Sequence, residues 1–124
     1  MGQQHKIMIV DDDADIVLSL QQIFTKEKFE VTTAENGLKC IEHLQQGFQG
    51  IIILDIMMPL LDGIDTIKKM VVEGFLEGNT IIVLTVKKIQ GEEFDDIYEY
   101  IYEFIQKPFD VENLVKTVKK AATQ

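Results

Sequence analysis

The segment that decides the fold is IIILD at residues 51–55, four consecutive apolar residues followed directly by a carboxylate. A strand with one solvent-exposed face alternates apolar and polar residues, and this segment has no polar alternate. A second segment of the same kind, IIVLT, lies at residues 81–85. Both are therefore predicted to be strands buried on both faces, as in a parallel sheet that helices cover on each side.

Short apolar segments and helical patterns alternate along the rest of the chain. The helical patterns begin near Ile16, Leu38, Ile64 and Val111, where apolar residues recur at spacings of three and four. Another helix, within residues 89–99, has a clear start and an uncertain end. The alternation predicts an open, doubly wound α/β sheet with right-handed crossovers. The predicted strands cover residues 7–10, 29–33, 51–54, 81–84 and 102–106.

Length and composition limit the class of protein. The 124 residues suffice for one well-packed domain, and we take residues 1–124 as a single domain. The chain is 46% hydrophobic and 27% charged, the balance of a soluble globular protein. No apolar segment approaches the ~20 residues that span a bilayer, so no membrane association is expected. The net charge of −9, without a stripe of basic residues, argues against direct binding to nucleic acid.

The start of the chain and its single cysteine predict a cytoplasmic location. Residues 1–10 lack the apolar core and cleavage site of a secretory signal. Cys40 cannot form an internal disulfide, which fits a reducing compartment. Its helical neighbours Leu38, Ile41 and Leu44 are apolar, so we interpret Cys40 as a packing residue rather than a reactive thiol.

Side chains that can bind ligands follow four of the five predicted strands. Sheets of this kind bind ligands beyond the carboxyl ends of their strands, so these residues are expected to meet in one crevice. Asp11, Asp12 and Asp55 provide hard oxygen ligands that suit Mg²⁺. Asp13 is instead interpreted as the cap of the following helix, because aspartate favours a helix N-terminus. The residues after the strands are Asp11, Asp12, Asp13, Asp55, Thr85 and Lys107.

These residue types suit phosphoryl chemistry. A carboxylate such as Asp55 can act as a nucleophile and form an aspartyl-phosphate. A magnesium ion would shield the incoming phosphoryl oxygens from the charge of the acid. Lys107 can place an ammonium against the same group, and Thr85 can donate a hydrogen bond to it. Each residue alone would more often be structural, so the prediction depends on the joint arrangement.

Four motifs in order make the chain similar to a known family. They are IVDDD, ILDIMMPLLDG, VLT and FIQKPF, at residues 9–13, 53–63, 83–85 and 104–109. The chain resembles a response regulator receiver domain of a two-component system, of the chemotaxis-regulator type, from residue 6 to the last helix. The resemblance implies a flavodoxin-like fold, with a doubly wound five-stranded parallel sheet of strand order 2-1-3-4-5 and helices on both faces.

The resemblance also implies a role for each residue of the site. Asp55 would accept the phosphoryl group. Asp12 and Asp55 would bind Mg²⁺ directly, and Asp11 would act mainly through water. The backbone carbonyl of Met57 would be a further ligand. Lys107 would bridge the acid and the phosphate.

In the family, a switch connects this site to a more distant face. By resemblance, Thr85 would move toward the phosphoryl group, and Phe104 would swing inward to fill the space that Thr85 leaves. Pro108 would follow a cis peptide bond, which X-Pro bonds adopt at low cost. Receivers commonly use the face formed by the fourth helix, fifth strand and fifth helix for partners or dimers.

The sequence departs from the family pattern before the last strand. Tyr100 stands where a glycine is common, so the end of the fourth helix is uncertain. With Tyr98 and Tyr102 it forms an aromatic cluster, which is either a partner surface or plain packing. In the family, two positions tune the lifetime of the phosphoryl group, and by resemblance they are Met57 and Lys87 in this chain. Because Met57 cannot orient a hydrolytic water and Lys87 is a long cation, slow to moderate self-dephosphorylation is expected.

The expected partners follow from this reading. A histidine kinase or phosphotransfer protein would donate the phosphoryl group, and an output domain or target protein would respond to it. His5 and His43 are expected at the surface and not as donors, so the donor would be another protein. The chain would be a monomer or a phosphorylation-dependent dimer, and either a stand-alone receiver or part of a longer regulator. It would catalyse only its own phosphorylation and dephosphorylation.

Two other functions compete with this one. A Mg²⁺-dependent phosphohydrolase with an aspartyl nucleophile commonly needs a second acid two residues later, and Met57 stands at that position after Asp55. A protein-binding module that is never phosphorylated would not need a complete pocket, and no pocket residue is missing from the sequence. The receiver function is therefore preferred.

Overall fold

A five-stranded parallel sheet forms the centre of the protein. The computed structural model describes residues 5–58, 60–86 and 92–123. The strands lie in the order 2-1-3-4-5, and every neighbouring pair is parallel, which confirms the predicted fold class. The predicted strand ends differ from the observed ones by at most one residue. The strands are β1 (Lys6–Val10), β2 (Glu30–Ala34), β3 (Ile51–Asp55), β4 (Thr80–Thr85) and β5 (Ile101–Gln106).

Helices connect the strands, and side-chain caps define where the longer helices begin. An aspartate or asparagine directly before each of them accepts a hydrogen bond from a backbone N–H of the first turn. The predicted cap Asp13 is one of these, since its Oδ1 accepts from the amides of Asp15 and Ile16. Within the described part of the chain, no helix has the length and apolar character needed to cross a membrane. The helices are α1 (Ala14–Lys26), α2 (Gly37–Gln45), α3 (Gly63–Glu73), α4 (Glu92–Asp95) and α5 (Val111–Ala122).

Each face of the sheet carries its own hydrophobic core, because successive side chains of a strand point to opposite faces. On one face Ile53 and Leu84 pack with residues of α1 and α5. On the other face Leu54 and Val83 pack with residues of α2 and α3. All five residues of β3 are buried, as the sequence predicts for this strand. The two cores therefore fix the central strands and the positions of their carboxyl ends.

The single cysteine belongs to one of these cores. Cys40 lies on α2 and is fully buried. Burial raises the pKa of its thiol to about 12. The thiol therefore stays protonated at neutral pH, and the interpretation of Cys40 as a packing residue is confirmed.

An irregularity in β5 determines which face its side chains occupy. The consecutive β4 residues Ile81 and Ile82 pair with β5 residues two positions apart, so Tyr102 is an extra residue in the edge strand. Regular alternation would place Tyr102 and Phe104 on the same face of the sheet. Instead, Tyr102 packs against the core on the α5 side and Phe104 against the core on the α3 side.

The segment before β5 shows where the fourth helix ends. α4 ends at Asp95, and a single 3₁₀ turn (Tyr98–Tyr100) leads directly into β5. The first residues of the predicted helix, 89–91, lie outside the described residues. Tyr98 is exposed, Tyr100 packs on the α3 side, and Tyr102 packs on the α5 side. Tyr102 is therefore separated from the other two tyrosines, because Tyr98 stacks on Phe104, which packs on the same α3 side as Tyr100.

Candidate functional site

Carboxylates from two neighbouring strands meet at the carboxyl edge of the sheet. Asp11 and Asp12 follow β1 directly, and Asp55 is the last residue of β3. One oxygen from each of the three acids lies within 4.8 Å of the other two. Asp11 is 1% exposed and Asp55 is 5% exposed, whereas Asp12 is open to solvent. The fold thus brings together acids that are separated by more than 40 positions in the sequence.

Backbone amides orient the two buried carboxylates. The amide of Asp13 donates to Asp11 Oδ1 at 2.9 Å. The amide of Met57 donates to Asp55 Oδ1 at 3.1 Å. Each bond closes a short turn immediately after a strand, so the direction of each carboxylate is set by the local backbone.

The loop after Asp55 packs tightly against the start of α3. The amide of Gly63 donates to the carbonyl of Ile56 at 2.9 Å. A Cβ added to Gly63 would lie 2.6 Å from the Asp55 carbonyl oxygen and 2.7 Å from the Ile56 Cα. Only glycine therefore fits here without a shift of the backbone that carries Asp55.

Lys107 reaches the acids from the end of β5. Its Nζ lies 2.8 Å from Asp11 Oδ2 and 3.4 Å from Asp55 Oδ2. Its amide donates to the carbonyl of Thr85 at 2.7 Å, and its peptide bond to Pro108 is cis. The ammonium therefore contacts both buried acids, and its shorter contact is with Asp11.

These charges shift the pKa values of the groups in the pocket. Burial raises the pKa of Asp55 and the charge of Asp11 raises it further, which outweighs the lowering by the Met57 amide and Lys107. Burial alone would lower the pKa of Lys107, but hydrogen bonds and charge from Asp11 and Asp55 outweigh it and raise the pKa. The pocket therefore holds a charged lysine beside acids that repel one another.

The composition of the pocket fits a divalent cation. In the part of the chain that the structure describes, the pocket holds three carboxylates, two of them buried, and the ammonium of Lys107, so the deprotonated acids of this set exceed its positive charge. Carboxylate oxygens are the ligands that Mg²⁺ prefers, and the ion commonly uses one or two of them. Asp11, Asp12 and Asp55 are the available ligands. A role for the Met57 carbonyl as a ligand stays a prediction, because the hydrogen bond to Asp55 is made by the amide of Met57 and not by its carbonyl.

The two predicted switch residues lie on the same face of the sheet. Thr85 ends β4, is 5% exposed, and comes directly after the β4 partner of Asp55. Phe104 pairs with Val83, two residues before Thr85. Phe104 is half-buried, and its ring stacks on that of Tyr98. The switch positions are thus diagonal neighbours across the β4–β5 pairing.

The fold and the site together define a protein class, and comparison with known families identifies the same class. Residues 7–119 match the family described as the response regulator receiver domain. The chain therefore belongs to the response regulator receiver family of two-component signalling proteins.

Several relatives cover nearly the whole chain. Chemotaxis protein CheY of Bacillus subtilis is 31% identical over 117 residues, which cover 94% of this chain and 96% of that protein. Sporulation initiation phosphotransferase F of the same organism is 32% identical, over 93% of this chain and 91% of that protein. The CpxR homolog of Haemophilus influenzae is 30% identical, and the chain spans 48% of its length.

Solved structures share the fold over almost its full extent. A CheY-like receiver domain from Methanospirillum hungatei JF-1 superposes with a TM-score of 0.91 at 35% identity, covering 98% of this chain and 96% of that chain. Response regulator TrrA from Thermotoga maritima, in complex with Mg²⁺-BeF, superposes with a TM-score of 0.78 at 27% identity. That match covers 94% of this chain and 98% of the TrrA chain.

The remaining predicted positions have mixed outcomes. Lys87, expected to affect the lifetime of the phosphoryl group, lies outside the described residues. His5 is exposed as expected, but His43 is half-buried, with its Nε2 3.1 Å from the carbonyl oxygen of Thr33. The expected surface position of His43 is therefore wrong in part, because its ring reaches back to β2.

Sequence reasoning missed the structural roles of two residues near the site. In the sequence, Gly63 stands out only as the last residue of the ILDIMMPLLDG motif. A glycine at a helix start shortly after Asp55 is a signal that two backbone segments approach each other closely. Tyr98 was not linked to Phe104, because no local pattern shows that the two rings meet. That contact depends on the 3₁₀ turn and on the extra residue in β5.

Proposed function

We propose that this chain is a phospho-accepting switch, in which Asp55 receives a phosphoryl group from a histidine kinase or phosphotransfer protein and Mg²⁺ is required. The state of Asp55 would control an output domain or target protein through the face formed by α4, β5 and α5. The proposal includes a cytoplasmic location and no catalysis beyond self-phosphorylation and self-dephosphorylation.

One observation carries the proposal. Among the described residues, three carboxylates lie within 4.8 Å of one another, and the ammonium of Lys107 contacts the two buried ones. A structural ion pair needs one acid for one base, so the further acids beside Lys107 add mutual repulsion that a purely structural pair would not contain. Membership of the response regulator receiver family supports the interpretation of this cluster as a phosphoryl-accepting site.

The chemistry assigned to Asp55 follows from its position. A carboxylate oxygen of Asp55 attacks phosphorus, and the bond between phosphorus and the imidazole nitrogen of the donor breaks as the new O–P bond forms. The displaced imidazole takes a proton from solvent. Asp55 is well placed for this step because the Met57 amide holds one oxygen while the other faces Lys107.

The other groups stabilise charge. A bound Mg²⁺ would supply Lewis-acid stabilisation of the phosphoryl oxygens, with Asp11, Asp12 and Asp55 as the residues that hold it. Lys107 supplies a positive charge. Its backbone amide donates a hydrogen bond to the carbonyl of Thr85, which holds the residue near the site. Thr85 supplies a hydroxyl at the end of the neighbouring strand.

Small phosphodonors test the proposal directly. The chain is incubated with acetyl phosphate and Mg²⁺, and intact mass is measured at intervals. A single adduct of ~80 Da is expected, as for one phosphoryl group. The Asp55→Asn variant is expected to show none, and chelation of Mg²⁺ with EDTA is expected to prevent the adduct in the wild type.

The same experiment separates the alternatives. A wild-type chain that gains no adduct would support the protein-binding module and contradict the proposal. An adduct that persists in Asp55→Asn would assign the phosphoryl group to another residue. Rapid turnover of an external phosphate monoester would support the phosphohydrolase function instead. That function is not expected, because Met57, two residues after Asp55, cannot act as a general acid.

A further inference from the structure

An exposed tyrosine covers the residue at the predicted aromatic switch position. The ring centroids of Tyr98 and Phe104 are 5.2 Å apart, and the ring planes are inclined by only 26°. Tyr98 is 62% exposed, so most of its surface gains nothing from burial. Phe104 is half-buried and packs against the core on the α3 side of the sheet. Tyr98 therefore forms the solvent-side cover of Phe104.

The backbone fixes this contact from both sides. Ile97 is 1% exposed and anchors the segment in the core, and its carbonyl accepts from the amide of Tyr100 at 2.9 Å. The extra residue at Tyr102 turns Phe104 to the face on which this segment packs. Two rings six positions apart are thus brought together by a buried anchor and an irregular strand.

We infer that Tyr98 is a positioning residue for the switch: its stack on Phe104 stabilises the present, half-buried position of that ring. The inference rests on the proposed function, in which Phe104 moves inward when Asp55 is phosphorylated. A ligand at Asp55 that favours inward Phe104 must then break the stack. By linkage, loss of the stack favours that ligand to the same extent.

The size of the effect is bounded by the energetics of aromatic pairs. The Tyr98→Ala variant is expected to bind a phosphoryl analogue about two- to tenfold more tightly than the wild type, the range that corresponds to one stacked pair. Tyr98→Phe keeps the ring and is expected to bind as the wild type does. The hydroxyl of Tyr98 has no part in the effect.

Beryllofluoride with Mg²⁺ is the probe, because it binds without a covalent step. Its affinity is measured by isothermal titration calorimetry for the wild type, Tyr98→Ala, Tyr98→Phe, Phe104→Ala and the double variant. In the Phe104→Ala background, Tyr98→Ala is expected to have no further effect, since the stack is already lost. A residue with a purely structural role would lower stability without this Phe104-dependent gain in affinity.

Ring NMR signals of the same samples report the contact itself. In the wild type, the ring protons of Tyr98 are expected to be shifted by the ring current of Phe104 and to lose that shift on saturation with beryllofluoride. Tyr100 and Tyr102 provide internal references in the same spectrum. Because Tyr98 is largely exposed, its variants are expected to fold, and the wild-type NMR readout does not depend on them.

The outcomes distinguish a failure of the proposed function from a failure of the role inferred for Tyr98. If the wild type fails to bind beryllofluoride, or if Asp55→Asn binds it equally well, the proposed function falls and this inference falls with it. If binding depends on Asp55 but Tyr98→Ala binds no more tightly than the wild type, only the inference is overturned. A gain that persists in the Phe104→Ala background, or a Tyr98 signal unchanged on saturation, overturns it as well.

Discussion

The inner strand β3 and the edge strand β5 both deliver residues to the candidate site, but they are held very differently. β3 pairs with β1 on one side and β4 on the other, and all five of its residues are buried. Among the described strands, β5 lies at the edge of the sheet beside β4, and Ile105 is the one buried residue within β5. β3 ends in Asp55, whereas β5 carries Phe104 and leads into Lys107.

The difference suggests a division of labour between the two strands. A side chain at the end of a strand buried on both faces is held by packing from every direction, which suits a reacting group. A side chain on a partly exposed edge strand has room to change position at low cost, which suits a switch. We therefore expect perturbations of β3 to affect stability and the site together, and perturbations of β5 to affect mainly the switch.

The largest expected effect is on packing. Ile53→Ala removes a fully buried side chain from β3, and a loss of about 3–4 kcal/mol in the free energy of unfolding is expected from transfer and cavity terms. Ile101→Ala, at the start of β5, is expected to cost about half as much because Ile101 is only half-buried. Urea unfolding followed by circular dichroism measures both. Equal losses would mean that the inner strand and the edge strand are held equally firmly.

The next effect concerns charge in the pocket. Without Mg²⁺, Lys107→Met is expected to lower the free energy of unfolding by about 3 kcal/mol, because it leaves the largely buried Asp11 and Asp55 without their cation. The matched control is Lys119→Met, which removes a more exposed ion pair with Glu27 and is expected to cost about 0–1 kcal/mol. Denaturant titration in EDTA measures both variants. Similar losses would mean that the pocket is effectively solvated.

A third prediction addresses the loop after β3. Gly63→Ala is expected to cost about 2 kcal/mol through overpacking against the backbone of Asp55 and Ile56, and to slow phosphorylation by acetyl phosphate. Gly74→Ala, at the other end of α3, is the control. Because Gly74 has a φ of 79°, alanine at this position is expected to lower the free energy of unfolding by about 1 kcal/mol. The methyl group of that alanine would have no atom within 4 Å. A changed phosphorylation rate in Gly74→Ala would show that general destabilisation, and not the Asp55 backbone, is responsible.

The smallest expected effect is metal-dependent. Mg²⁺ at ten times its dissociation constant is expected to raise the free energy of unfolding of the wild type by about 1.4 kcal/mol, because it binds only the folded pocket. Asp12→Asn and Asp55→Asn are expected to lose most of this gain. Thermal unfolding with and without Mg²⁺ provides the measurement. Equal stabilisation of all three chains would place the ion elsewhere.

Most of the fold was predictable because its signals are local. The IIILD segment and its equivalent in β4 require burial on both faces, and helical periods between the strands require crossovers. The capping role of Asp13 was equally readable, because it depends on a bond to residues two and three positions away. The meeting of Asp11 and Asp55 followed from topology, since the carboxyl ends of parallel strands share one edge.

The features that the sequence did not predict depend on strand register and on contacts between distant residues. The sequence predicted that Tyr98, Tyr100 and Tyr102 form one cluster, because they lie within five residues of one another. In the structure, Tyr102 packs on the α5 side and the other two tyrosines lie toward the α3 side. Nothing in the residue types of β5 requires the extra residue at Tyr102. The closer contact of Lys107 with Asp11 than with Asp55 could not be read either, because it depends on side-chain geometry across the sheet.

By itself, the sequence determined that this chain forms a doubly wound parallel sheet with acids, a hydroxyl and a lysine at one edge. Those features follow from hydrophobic periodicity and from the order of residues along each strand, which act over short distances. Three features become visible only in the folded chain: the acid that Lys107 contacts most closely, the position that only glycine fits, and the stack of Tyr98 on Phe104. These depend on the pairing register and on packing between distant segments, where a shift of one residue moves a side chain to the opposite face.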